Sequence, residues 1–584
     1  MVAGDNQGVA FLWANPLKTS FSTAVSLGTL AGGFSSYAFG VSADGKVVVG
    51  ESTNAVSLPL VSTYQAFRWT AATGMVGLGT LGGDSGATAV SADGTVAVGY
   101  SRSAAYGYFD HAVSWTGTKA PVDLMIGSSF AALPGAASQA SGVSSNGSVI
   151  VGSAFTNAGS SQAFRWTTST GMVGLGGLGG GYSAAHAVSA DGSIIVGNAS
   201  VPAQADTNAF RWTSATGMQN LNTLLGNAGV NMSGIVLTDA TGISGNGQYI
   251  IGSGNFTGTT EPYLVCYSSA NGCASITTAS SLRSSIQQLA DDQRAALIES
   301  RATASEMLGM TRPVDSSNYV YAGAMLGSAV AYTGGQYSAR GVTVLGGIGY
   351  GTQDYTHISE QGAPTIALAA RYTFDDPFGD EGNALHPYGE IGGWTTPQAT
   401  MTMHRSYSYG LSTGVGNTET TSWADYGRGG LIWDITSADR LTGYGEVGQQ
   451  AMAFGAYSEQ AGGTNPFPAS VNGGLLNMGV ARVGSSWTHK IDTLSDTFGK
   501  VPVAVTFAGD VARSFAVHSG LHAVSAIGDT ASSANTAETW GEFGGRLSAE
   551  LTKNLSLDFD VNGTTGGDAL GTSFHGGMGV SYAF

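Results

Sequence analysis

The sequence predicts an all-β protein in two parts with a single helix between them, and three observations carry that prediction. The pieces S-A/S/G-D/N-G, V-V/I-V-G and A-F-R-W-T return in fixed order about every fifty residues from Met1 to about Cys273, and then cease. A stretch rich in Ala, Leu, Gln, Glu and Arg follows. From there to Phe584 the chain is rich in Gly and aromatic residues, with apolar and polar side chains alternating over long runs. The expected divisions are residues 1–275, 276–310 and 311–584.

Composition narrows the class before any motif is read. With 90 Gly among 584 residues, 10% charged residues and a net charge of -17, the chain is neither a basic nucleic-acid binder nor a charged, disordered one. Its Gly, Ser, Thr and Ala content with few Lys suits extracellular β-structure. The two cysteines, Cys266 and Cys273, are close enough for a small disulfide loop in an oxidising compartment, with two free thiols as the alternative. The opening residues MVAGDNQGVA show no signal-peptide pattern, and MVAG reads as the tail of a V-V/I-V-G strand, so the start is read as truncated or misassigned.

In the repeats, a strand, a turn and a second strand (TAVSADGTVAVGY, 88–100) lead into a third strand of the type QAFRWT (65–70 and 162–167) or NAFRWT (208–213). A fourth follows a T-G turn, as in TGMVGLGTLGG (73–83). The pairs Asp44-Gly45, Asp93-Gly94, Asn146-Gly147, Asp191-Gly192 and Asn246-Gly247 lie between apolar runs, where both residues of a two-residue type I′ hairpin turn take positive φ. Gly192→Val is then expected to destabilise this part and Gly159→Val, in an irregular loop, to do little. Four short strands per unit of ~40–50 residues match a propeller blade better than a solenoid rung. Six third-type strands are countable if EPYLVC (261–266) is the degenerate last one. The first unit lacks its opening strand and the last a clear fourth, so the two ends are expected to share a blade. The motif order resembles a WD-repeat blade, and more closely the extracellular HAF-type repeat family of surface or secreted proteins.

Residues from about Ser280 to Met310 read as a helix closed by Gly309. About 30 residues at ~1.5 Å each would cross a membrane, but Arg283, Asp291, Asp292, Arg294, Glu299 and Arg301 exclude lipid around it. Such a helix belongs in a water-lined pore.

The remainder supplies that pore. Leu555, Leu557, Phe559 and Val561 alternate with Ser556, Asp558, Asp560 and Asn562; Phe543, Leu547, Ala549 and Leu551 oppose Glu542, Arg546, Ser548 and Glu550. Val503, Val505, Phe507 and Val511 give a third case. Long strands, abundant Tyr and Trp, and Met578, Val580, Tyr582 and Phe584 on one face favour a transmembrane barrel over a soluble sandwich. At this point the chain resembles an autotransporter of the type V secretion pathway: a repeat passenger, a linker helix, a β-domain and the terminal GMGVSYAF, similar to the outer-membrane assembly signal. The resemblance covers about 280–584 and implies twelve strands, against eleven to twelve countable here. It also implies assistance from the barrel-assembly machinery, a helix threaded through the lumen of a monomeric barrel in outer-membrane lipid, and a passenger at the cell surface. Members that cut themselves do so at an Asn-Asn pair in the helix; this helix has no Asn, so the passenger is expected to stay attached.

Other motifs weigh little. Gly77-Gly79-Gly82 and Gly174-Gly176-Gly179 have dinucleotide-loop spacing but run into strands rather than helices. Gly323-Ala-Met-Leu-Gly327 lies in a charge-free stretch read as strand, not as a membrane helix. His111 and His186 occupy slots that hold polar residues in sister repeats. Arg68, Arg165 and Arg211 share one repeat phase and are read as holding neighbouring segments rather than as sialidase-type arginines. One carboxylate per turn is a poor calcium site. No catalytic residue, cofactor or metal is expected. The leading reading is export and anchoring of a surface passenger for adhesion to an unknown surface or host ligand, through insertions such as Tyr106–Asp110 and Ser128–Ala140. A surface hydrolase and a purely structural surface protein are the rivals.

Overall fold

The computed structural model describes the chain apart from residues 1, 7, 14–23, 55–62, 129, 131–136, 157–158, 203, 205, 269–271, 309–317, 327–328, 355–356, 376–383, 407–408, 410–412, 462–464, 492–500, 527, 533–535 and 567–571. The closing Gly309 of the helix and most of the Ser128–Ala140 insertion lie outside the described residues. The chain forms two compact units, Met1–Ala279 with Tyr409–Leu411, and Ser280–Ser408 with Ser412–Phe584.

The first unit is a succession of six antiparallel sheets, one per repeat, in the propeller-like order the repeats predict. Five have four strands in simple meander order; the first has three, Val2–Asn6, Val9–Trp13 and Ala24–Gly28, matching the second to fourth strands of its sisters. The sixth has a fourth strand of its own, Cys273–Thr278, which corrects the expectation that it lacks one. That strand is apolar and β-branched but carries none of the T-G-M signature, so the repeat pattern hid it.

The repeat signatures have local causes. In each four-stranded sheet the opening strand is bulged, as between Ala185 and Ala187, and the glycine of V-V/I-V-G sits opposite the bulge. A Cβ on Gly197 would run into the Ala184 carbonyl oxygen, and the ring of its cross-strand partner Phe210 would lie 2.9 Å away. The glycine therefore admits the fully buried phenylalanine of A-F-R-W. Tyr263 takes that slot in the sixth sheet, opposite Gly252.

The Asp-Gly and Asn-Gly turns close the same hairpins, but their type differs from the expected one. Glycines 45, 94, 147, 192 and 247 have φ of 69, 71, 74, 77 and 72°, whereas Asp44, Asp93, Asn146, Asp191 and Asn246 are absent from the positive-φ residues. Each glycine N–H donates to the carbonyl of the serine three residues back at 2.9 Å, which makes a type I turn followed by a left-handed glycine. The reason is side-chain bonding. Asp191 Oδ1 accepts from the Ser189 hydroxyl at 2.6 Å and from the Ser193 N–H at 3.0 Å, which needs the acid in a negative-φ position. These donors at Asp191, and the Ser42 hydroxyl and Lys46 N–H at Asp44, hold the two carboxyls well below their usual range, at about 2.

The turns also join the sheets. The N–H groups of Ala43, Ala92, Ser145 and Ala190 donate to the carbonyls of Ala92, Ser145, Ala190 and Gly245 at 3.0, 3.1, 3.0 and 3.0 Å, a backbone ladder running from the second sheet to the sixth. Arg68 Nη2 reaches the Gly94 carbonyl of the next sheet at 3.4 Å.

The second unit holds all but the first residue of a helix, Ala279–Met307, and a closed barrel of twelve antiparallel strands. These are β1 (Tyr319–Leu326), β2 (Val330–Ala339), β3 (Val342–Asp354), β4 (Ile358–Thr373), β5 (Ala384–Ser406), β6 (Thr413–Asp434), β7 (Asp439–Phe454), β8 (Gly474–Ile491), β9 (Val503–His518), β10 (Thr539–Glu550), β11 (Leu555–Thr565) and β12 (Thr572–Ala583). The charge-free stretch around Gly323 is the β1–β2 hairpin, and among the described residues no helix is long and apolar enough to cross a membrane. The closing seam pairs β1 with β12, with Val320 opposite Tyr582, and Phe584 N–H donates to the Asn318 carbonyl at 2.9 Å. Met578, Val580, Tyr582 and Phe584 all face outward.

Outward-facing residues of the barrel wall include Ile348, Leu368, Ile391, Val447, Val483, Val511 and Val561. Tyr337, Tyr372, Trp433 and Tyr582 lie near the end that holds Phe584, and Trp423, Phe515 and Phe574 lie eight to ten residues beyond Trp433, Phe507 and Tyr582 on the same strands, close to the length a tilted strand needs to span a bilayer. Val503, at the start of β9, is buried and departs from the expected outward row.

Candidate functional site: the filled lumen of the barrel

The strands β5 and β6 run 23 and 22 residues, about twice what a membrane span requires, so the wall continues past the second aromatic ring. The helix lies in the lumen, with Ser285 against Arg405 near the end of β5 and Arg301 against Glu446 in the middle of β7. The lumen is largely filled rather than open, because the helix is buried on nearly every face. Leu282, Ile286, Leu289, Ala290 and Leu297 belong to one apolar cluster with Met401, Met403, Met452, Phe454, Val471, Met478, Val517 and Leu521 from the extended wall and its loops. Met side chains suit this task, since an unbranched thioether fills gaps around a cylinder of irregular shape.

Two long loops add to this collar a four-stranded sheet of Tyr457–Ser458, Ala469–Val471, Leu521–Ser525 and Gly528–Ser532. Arg405, at the end of β5 and 1% exposed, forms a bidentate pair with Glu459 at 2.7 and 2.7 Å, donates to the Phe467 carbonyl at 2.9 Å, and reaches Ser285 of the helix at 3.4 Å. Further along the helix, Arg294 pairs with Glu538 at 2.9 Å, and Asp292 with His357 at 2.7 Å.

Toward the other end the lining is ionic. Arg371, Glu390, Arg428, Glu446 and Arg482 are directly opposite one another on β4, β5, β6, β7 and β8, a row of alternating charge across five strands. Helix residue Arg301 completes it, with Nη1 and Nη2 at 2.9 Å from the two oxygens of Glu446. Glu446 also takes Arg428 at 2.7 Å and Arg482 at 3.5 Å, and Arg482 pairs with Asp510 at 3.0 Å and Glu542 at 2.5 Å. Arg301, Arg371, Arg428 and Arg482 thus face Glu390, Glu446, Asp510 and Glu542, and the set is neutral only with the helix in place. Tyr426 and Tyr444 lie under the Arg428 guanidinium at 5.6 and 4.2 Å. Beside Arg301 a cavity of about 110 Å³ remains, lined in part by Ser305, Tyr388, Asp510 and His575. The helix ends with the Met307 carbonyl accepting from the Tyr321 hydroxyl.

Of the helix charges singled out from sequence, Arg294 and Arg301 carry this arrangement, while Arg283 is exposed. The barrel-side row went unread, although Tyr388-Gly-Glu390, Tyr426-Gly-Arg428 and Tyr444-Gly-Glu446 repeat a Tyr-Gly-charge pattern at inward positions of neighbouring strands. In the first unit, Cys266 and Cys273 are bonded across a hairpin, with Cα atoms 5.8 Å apart. His111 is buried against Asp123 at 2.8 Å and His186 lies 3.3 Å from Asp239. Among the described residues no group of three or more His, Cys, Asp or Glu converges as metal ligands would.

No family model and no curated protein matches the chain. Among solved structures it is similar to the translocator domain of the autotransporter NalP from Neisseria meningitidis, at 14% identity over 50% of this chain and 98% of that one, with a TM-score of 0.33. The β domain of the Bordetella autotransporter Brka is similar at 16% identity over 46% and 100%, TM-score 0.27. TolB from Acinetobacter baumannii is similar at 13% identity over 42% and 55%, TM-score 0.28.

Proposed function

We propose that this chain is an autotransporter whose barrel exports the first unit across the outer membrane and then anchors it at the cell surface. The observation that carries the reading is the helix. It follows directly on the repeat region and lies buried within the closed barrel. A polar helix that fills the lumen of a closed barrel is what remains when the chain preceding it has been exported through that barrel. The collar and the ionic row act as the final lock, since both need the helix to complete their apolar and charge pairing. Without a cleavage pair in the helix the first unit remains attached, and its role is interaction with an external ligand.

Protease added to intact cells tests this. Digestion of the first unit with a surviving barrel-sized, membrane-embedded fragment is expected. Protection of the first unit until the cells are permeabilised would overturn the proposal.

A further inference from the structure

In the third sheet of the first unit, the connection between the second and third strands differs from those of the fourth and sixth sheets. The fourth sheet makes this link with a tight loop closed by Thr156 N–H donating to the Ser160 carbonyl at 2.7 Å, and the sixth with the turn at Thr257-Gly258. The third sheet instead inserts a short 3-10 turn, Ala104–Tyr106, and displays Tyr106, Tyr108 and Phe109 at 46, 61 and 44% exposure. The links of the fourth and sixth sheets hold no aromatic residue between their strands, and the fourth sheet shows a single exposed ring at this end, Phe155 at 47% exposure, where the third shows three.

The loop is tied to its flanking strands at two points. Tyr108 has φ of 61°, a left-handed conformation rarely taken by a tyrosine, and its N–H donates to the Ser103 carbonyl at 2.9 Å. The Tyr106 ring lies 4.9 Å from the ring of His111, itself fixed by Asp123. Beside the rings stands a polar array. Arg102 pairs with Asp84 at 2.8 Å and with Asp110 at 3.5 Å, and Gln139 Nε2 donates to Asp110 at 3.0 Å. A Cβ on Gly83 would touch the Tyr108 ring at 3.4 Å and Arg102 Cβ at 2.7 Å, so ring and arginine lie side by side.

We propose that this patch is a binding site for neutral carbohydrate. Fixed aromatic faces suit the C–H faces of a pyranose, and the adjoining carboxylate, guanidinium and carboxamide groups bond hydroxyls in pairs. Two carboxylates against one guanidinium, in a chain of net charge -17, disfavour sulfated or uronic acid polymers. The proposal names a ligand class for the surface interaction proposed above and rests on that reading.

Full-length protein in detergent micelles, passed over immobilised chitin, cellulose, amylose and heparin, tests it. Retention on at least one neutral polymer is expected, displaced by the matching soluble oligosaccharide and absent on heparin. Tyr108→Ala and Arg102→Gln should each weaken retention about tenfold or more. Phe109→Ala, in an ordinary backbone conformation, tests the same site if Tyr108→Ala disturbs the loop. No retention on any neutral polymer, retention only on heparin, or unchanged retention in all three variants would overturn the proposal. Because the columns read purified protein, their result is separate from whether the unit reaches the cell surface.

Discussion

Gly192→Ala separates two costs that the repeat design combines at one residue. Gly192 has φ of 77°, and an added Cβ would stand 2.5 Å from Val149 Cγ2 and 3.0 Å from Val149 Cβ of the preceding sheet. Val149 is 4% exposed and packed between sheets, so it has little room to yield. The left-handed conformation alone costs an L-residue about 1 kcal/mol. Overpacking a fixed neighbour adds about 1–3 kcal/mol, for a total of about 2–4. Gly217 isolates the first term: its φ is 69° and nothing lies within 4 Å of the added carbon. Gly159, read from sequence as an indifferent position, is unsuitable as a neutral control because its own φ is 73°.

In full-length protein in micelles, hydrogen exchange of peptides from residues 1–279 reads the first unit separately from the barrel. Gly192→Ala should lower its opening free energy by about 2–4 kcal/mol and Gly217→Ala by about 1 kcal/mol. Adding Val149→Ala to Gly192→Ala should recover part of the loss, a positive coupling of about 1 kcal/mol. Equal effects at the two glycines, or strict additivity with Val149→Ala, would refute the claim that the turn glycines seat the neighbouring sheet.

Arg301→Ala should lower the temperature at which the unboiled barrel shifts to its unfolded mobility on gels. It removes one of three guanidiniums on buried Glu446, a loss of about 3 kcal/mol, whereas Arg283→Ala, on the exposed face, should leave that temperature unchanged. Deleting Phe584, or replacing it with Ala, should reduce the amount of folded barrel in the envelope without reducing synthesis, as measured by the same gels. Mass spectrometry of unreduced protein should show Cys266 linked to Cys273; alkylatable thiols would contradict the bonded pair. Burial pushes the Glu51 carboxyl above its usual range despite the Tyr100 hydroxyl bonded to it at 2.8 Å. A raised carboxyl is easiest to bury when protonated, so its stability contribution falls as pH rises through the folded pKa, and Glu51→Gln should stabilise the first unit at pH 7 but not at pH 3. A larger gap at the acid end would reverse the sign.

The alternation of Phe559 and Val561 with Asp558 and Asp560 was sufficient to read a two-faced strand, since the side-chain period of a strand is two whatever surrounds it. The spacing of the Asp-Gly and Asn-Gly pairs likewise marked five hairpins. Their turn type was not legible, because it depends on Ser189 and Ser193 reaching around Asp191. The fourth strand of the sixth sheet was missed for the opposite reason, as Cys273–Thr278 pairs by its backbone and needs no signature residue.

What the sequence determined by itself was therefore periodic: repeat length, hairpin positions, a helix free of breakers and the inward or outward facing of barrel residues. These follow from bonds and side-chain directions within a few residues of one another. Only the tertiary structure decided that Arg371, Glu390, Arg428, Glu446 and Arg482 form one row and that Arg301 completes it, because strand register aligns residues spread over 111 positions of the chain and the placement of the helix adds Arg301. It also decided that the lumen around Leu282, Ile286 and Leu289 is apolar, since their partners come from loops and strand extensions whose pairing no local pattern fixes.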